Sequence, residues 1–289
     1  MYCYELILWS GGDTKKECNC GEENEGPTFY IAGGEFAGLH EYPWIVSLHH
    51  IMSKMSGIPI FFCTGALIDP THVLTAAHCL YTPRKEWDDG FIDIVVMLAN
   101  NNKEDLHPQH VAVNVTRIHA HPSYNDDTYL SGNQWNQSDV AVLTLAAPVQ
   151  YSHKIRPICL PSSPGRDYGG SIAVAAGFGL VDVSDGPEKA KNYLMKNIET
   201  LHSDEECMMY ECPLCGVRCI EKGRLPPVCA HMMDNVNILC SHEPGTTIPG
   251  GHTIRQGDSG SALNLKENGR FVRRRRLKKL TKKTVLNVL

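Results

Sequence analysis

The sequence has no apolar run long enough to cross a bilayer as a helix, which excludes a helical membrane span. It has no heptad register and no repeat of solenoid period, so neither a coiled coil nor a repeat array is expected. Its start lacks a basic lead and a small-residue cleavage site. The apolar patch from Tyr4 to Trp9 is short and broken by Glu5, and does not read as a signal peptide. Charged residues make up only 20% of the chain against 42% hydrophobic, enough for a sizeable core in one large domain or two small ones.

Cysteine, by contrast, is abundant. Twelve in 289 residues point to an oxidising compartment and a secreted protein, and hence to a start upstream of this one. The sequons at Asn114 and Asn136 agree with that placement. Charge is unevenly spread. The last 24 residues hold ten Lys/Arg against one Glu, so the net charge of −5 divides into +9 there and −14 over residues 1–265.

Period-two and β-branched runs recur along the chain: Glu41 to Leu48, Cys63 to Ile68, Val73 to Cys79, 91–98, 111–119, 139–145, 171–176 and 193–201. Turn-like residues separate them, and 146–168 is proline-rich, as suits a linker between two β units. The pattern predicts an all-β barrel or sandwich.

Three features carry chemistry. In Gln256-Gly257-Asp258-Ser259-Gly260-Ser261 the glycines allow a tight turn that directs the N–H groups of Gly257 and Ser259 into one space, as an oxyanion hole requires. Ser259 is a weak nucleophile alone and needs a base oriented by a third group. His78 follows an apolar strand and adjoins Cys79, which flanks with Cys63 a hairpin that a disulfide can bridge. Asp139 opens an apolar strand, and a buried carboxylate there needs a partner such as an imidazole N–H.

Taken together and in order, these pieces resemble the chymotrypsin/trypsin-like serine peptidases over roughly residues 30–272. The matching segments are Ile31–Glu35, Leu74–Cys79, Asp139–Leu143, Ile155–Pro161, Ala176–Gly179 and Gly257–Gly260. The resemblance implies an all-β fold of two six-stranded antiparallel β-barrels packed together, with a leader over 1–30 and a peptidase domain over 31–272. Within it, the first barrel spans about 31–150, the linker about 151–168 and the second barrel about 169–272, and 273–289 is a basic tail. It implies a serine endopeptidase working through an acyl-enzyme, with Ser259 as nucleophile, His78 as general base and Asp139 orienting it. Asp258 pairs with the new α-amine of Ile31 once the Tyr30–Ile31 bond is cut, so the uncut precursor is inactive. Cys63–Cys79 and Cys207–Cys240 fit family bridges, and Cys159 ties back to the leader through Cys20 or Cys18. No cofactor or metal is implied. The expected partners are protein or peptide substrates, an activating peptidase and protein inhibitors, without nucleic acid or membrane. The alternative is a catalytically inactive homologue that binds or regulates.

Departures from the family pattern refine this. Tyr30, rather than a basic residue, precedes Ile31. Ser261 replaces a glycine. Thr253, where the specificity pocket has its floor, offers no acid for a basic substrate side chain. Ala173 and Leu265 occupy the two ends of a missing family bridge. Cys212, Cys215, Cys219 and Cys229 have a spacing open to zinc, although two extra disulfides suit a secreted peptidase better. The run Arg273–Lys283 replaces core strands, so the second barrel is expected to be incomplete, with a solvated tail rather than a nucleic-acid patch. The abrupt change matches a shifted reading frame or retained non-coding sequence.

Overall fold

The computed structural model describes residues 20–24, 29–31, 34–52, 58–80, 92–105, 110–124, 138–161, 168–179, 192–203, 241–242, 258–267 and 270–273. All regular elements among them are strands. They are β1 (Phe29–Ile31), β2 (Gly34–Phe36), β3 (Ile45–Met52), β4 (Pro59–Asp69), β5 (His72–Thr75), β6 (Ile92–Leu98), β7 (Val111–Ala120) and β8 (Ala141–Leu145). Then follow β9 (Ile172–Gly177), β10 (Met195–Leu201), β11 (Ser241–His242), β12 (Leu263–Glu267) and β13 (Arg270–Arg273).

The six strands β3 to β8 close into an antiparallel barrel in the order β3-β4-β5-β8-β7-β6. Closure comes from β3 pairing with both β4 and β6, with Val46 opposite Gly65 and Leu48 opposite Val96. Alternation is clean on β8, whose Ala141, Leu143 and Leu145 point inward. The remaining strands form a seven-stranded sheet, β1-β2-β10-β9-β12-β13 with β11 on β10, which does not close among the described residues. The hairpin β12–β13 brings Arg273, the first residue of the basic run, opposite Asn264. Leu265 lies directly opposite Ala173, both buried, so an apolar contact stands where the family bridge is missing.

The linker lies on the first barrel, with Val149 N–H donating to Pro70 O and Ile158 N–H to Leu67 O. Among the described residues two disulfides are present, Cys63–Cys79 and Cys20–Cys159. The second holds residues 20–24 against the linker, where Gly21 N–H donates to Pro157 O at 2.8 Å. The main core is shared by both sheets: Trp44, Leu48, Leu67 and Leu143 from the barrel pack with Ala176, Phe178, Leu194 and Ala262. The buried Trp44 Nε1 donates to Asn264 Oδ1 at 2.9 Å and so satisfies both polar groups across the seam. Cys207, Cys240, Asn136 and the cluster Cys212–Cys229 lie outside the described residues.

Candidate active site

His78 sits in the turn that follows β5, held by the Cys63–Cys79 disulfide beside it. Closing a loop of this size is worth about 3 kcal/mol in the chain-entropy model. Asp139 enters β8 just after Ser138, which has φ +76° and a fully buried hydroxyl. The β5–β8 pairing brings the two ends together. Asp139 then grips His78 at two points: the backbone N–H of His78 donates to Oδ1 at 2.8 Å, and Nδ1 lies 2.6 Å from Oδ2. The side chains are 20% and 19% exposed, dry enough to strengthen the contact yet open to a substrate. A carboxylate on Nδ1 selects the tautomer with its proton there and leaves Nε2 as the acceptor.

Ser259 lies in the turn before β12. Its carbonyl accepts from the Thr64 N–H at 2.9 Å, which docks the turn on β4. Gly260, at φ +84°, fits tightly against the barrel end. A Cβ there would lie 2.1 Å from Thr64 O, 2.1 Å from Thr75 Oγ1 and 3.2 Å from Ala76 N. Thr75 and Ala76 lead into His78, so the serine turn and the histidine turn are packed together. Ser261 is buried and donates its hydroxyl to Ala176 O, which accounts for a serine where the family pattern has glycine.

Asp258 turns away from this cluster toward Gly179, whose N–H donates to Oδ1 at 2.7 Å. Both glycines of Gly177-Phe178-Gly179 are required by that contact. A Cβ on either would come within 2.3 Å of a carboxylate oxygen of Asp258. Ile31 lies in β1 opposite Gly34, with its nitrogen in the peptide bond to Tyr30. Asn114 lies on the exposed strand β7. Gly257 and Thr253 are outside the described residues, as are the flanking residues 243–257.

Sequence reasoning does not single out Lys103, a buried lysine whose Nζ reaches the Phe178 carbonyl at 2.7 Å. It lies in a polar loop, and only tertiary packing buries it. Cys63, His78 and Cys79 bring donor atoms within 4.8 Å of one another, but both sulfurs are joined to each other and present no thiolate to a metal. Among the described residues no helix is long and apolar enough to cross a membrane.

A family model described as Trypsin matches residues 31–272. The chain is 32% identical over 282 residues to the urokinase-type plasminogen activator of Gallus gallus, covering 93% of this chain and 57% of that protein. It is 33% identical over 183 residues to phenoloxidase-activating factor 3 of Holotrichia diomphalia, covering 60% of this chain and 49% of that one. Serine protease 56 of Mus musculus is 32% identical over 184 residues, 61% of this chain and 26% of its own length. The chain thus spans from about a quarter to just over half of these relatives.

Proposed function

The chain belongs to the trypsin family of serine peptidases, and from this we propose that it is a secreted endopeptidase made as a precursor and activated by cleavage between Tyr30 and Ile31. The observation that carries the reading is the two-point grip of Asp139 on His78, next to the docked Ser259 turn.

In this mechanism His78 Nε2 takes the proton of Ser259 Oγ as the hydroxyl attacks the scissile carbonyl. Asp139 holds the imidazole in the productive tautomer and stabilises the cation it becomes. The N–H groups of Gly257 and Ser259 receive the oxyanion. The protonated His78 then donates to the leaving amine, and water hydrolyses the acyl-enzyme by the same steps in reverse roles. Cleavage before Ile31 creates an α-amine that pairs with Asp258 and fixes the oxyanion hole. Thr253, which aligns with the family's pocket-floor residue, offers no acid to favour Lys or Arg. Protein substrates fit the family, and an activating peptidase and protein inhibitors fit a precursor.

The test is fluorophosphonate labelling of the full chain carrying an enteropeptidase site over residues 26–30, after cleavage before Ile31. Label on Ser259, absent from His78→Ala and Ser259→Ala, is the expected result. A folded, cleaved chain that takes no label would instead make this a binding or regulatory homologue.

A further inference from the structure

Lys103 is only 8% exposed. It follows β6, where its backbone N–H donates to Asn192 O at 2.8 Å. Its Nζ stands 4.7 Å from the centroid of the Phe61 ring, and Phe61 in turn meets the rings of Phe178 and His49 edge-on. A cation in such surroundings is unfavourable unless charge and hydrogen bonds compensate. Burial lowers the pKa of this amine, while the carboxylates of Asp258 and Glu104 act against that loss.

One peptide group joins Lys103 to Asp258. The carbonyl of Phe178 accepts from Lys103 Nζ at 2.7 Å, and the N–H of Gly179 in the same peptide donates to Asp258 Oδ1 at 2.7 Å. The peptide dipole thus has its negative end on the lysine and its positive end on the aspartate. Each charge favours the peptide orientation that serves the other. This arrangement exists with Ile31 still in its strand and its nitrogen still acylated.

Resting on the peptidase reading above, we propose that Lys103 is a positioning residue of the serine turn: its ammonium fixes the Phe178–Gly179 peptide, and through it Asp258, in a working position before the Tyr30–Ile31 bond is cut. The uncut chain then retains a measurable Ser259 reactivity that depends on Lys103. After cleavage the Ile31 α-amine supplies a second cation to Asp258, and the dependence shrinks.

The test uses the full chain with the enteropeptidase site, uncut and cut, as wild type, Lys103→Met and Lys103→Gln. Glutamine keeps a donor for Phe178 but not the charge. Two quantities are measured: the second-order rate of fluorophosphonate labelling at Ser259, and the exchange protection of the Gly179 amide. Both Lys103 variants should lower the uncut labelling rate and the uncut Gly179 protection at least tenfold, equivalent to about 1.4 kcal/mol. The cut form should lose less than threefold in rate. An unchanged uncut rate, an equal loss in both forms, or full restoration by glutamine overturns the proposal. If neither form of the wild type labels, the peptidase reading fails. Gly179 protection then decides alone: its loss in Lys103→Met supports the positioning role, and its persistence refutes it.

Discussion

Replacing Gly260 by alanine tests the docking of the serine turn most directly. An alanine at φ +84° pays the left-handed backbone penalty, about 1–2 kcal/mol. Its Cβ would also stand 2.1 Å from Thr64 O and Thr75 Oγ1, well inside van der Waals contact. These two atoms are themselves hydrogen-bonded at 2.9 Å, and Thr64 N–H is bonded to Ser259 O at 2.9 Å, so neither gives way freely. Relief requires the turn to move by roughly 1 Å away from the barrel, loosening hydrogen bonds worth about 1 kcal/mol each. The total is about 3–4 kcal/mol. The same displacement separates Ser259 from His78 and should slow the reaction of Ser259 about 100-fold. Gly170 provides the control. It has φ +74° but nothing within 4 Å of its Cβ position, so Gly170→Ala isolates the backbone penalty. Urea denaturation and fluorophosphonate labelling of both variants read the two effects. If Gly260→Ala is no less stable than Gly170→Ala, or labels at the wild-type rate, the turn is not docked as described.

Three further outcomes follow from the packing. His49 and His50 are buried and neutral, their pKa values pushed down to about 4, chiefly by burial and for His49 also by His50. The unfolded chain takes up protons first, near pH 6.5, so each ring's contribution is intact above that value and is lost as pH falls toward 4. The loss is on the order of 3 kcal/mol per ring. His50→Leu should remove roughly half of the difference in slope, and an unchanged stability–pH profile between pH 6.5 and 4 would contradict the assignment. Ala173→Cys with Leu265→Cys should form a bridge between the paired strands and add up to about 4 kcal/mol under oxidising conditions; a gain insensitive to reductant would deny the register. After cleavage before Ile31, the Cys20–Cys159 bond should keep the leader and the larger fragment in one species on a non-reducing gel. Separation without reductant would disprove that pairing.

Most strands were legible in the sequence because β-branched, alternating runs bounded by turn residues leave few other choices. The stretch from Val111 to His119 is β7 to within a residue, and the run opened by Asp139 becomes β8. That Asp139 would need a donor was legible from its place at the head of an apolar strand, whereas His78 as that donor came from the family resemblance. The reasons behind other residues appear only in three dimensions. Gly177 and Gly179 match a family segment, but their need for bare Cα atoms comes from Asp258, some eighty residues away in the chain. β1 straddles the end of a polar, low-periodicity leader and gains its strand form from pairing with β2. Lys103, His49 and His50 are polar in type, and nothing local announces that they are buried. Ser138 has φ +76°, a region that non-glycine residues seldom adopt and that the sequence does not announce.

The core shared by the two sheets has a kinetic meaning. Residues on both sides of the seam, from Trp44 and Leu67 to Phe178 and Ala262, belong to one apolar cluster, beside which Tyr168, Ala173, Leu201, Leu263 and Leu265 form a second, smaller one. The His78 and Ser259 turns stand on opposite sides of that seam. Parting them would expose the cluster, so no cheap sub-global opening separates the two halves of the site. The amide of Thr64, bonded to Ser259 across the seam, should therefore exchange with solvent only on the timescale of global unfolding. Opening of this seam and loss of the site should therefore coincide.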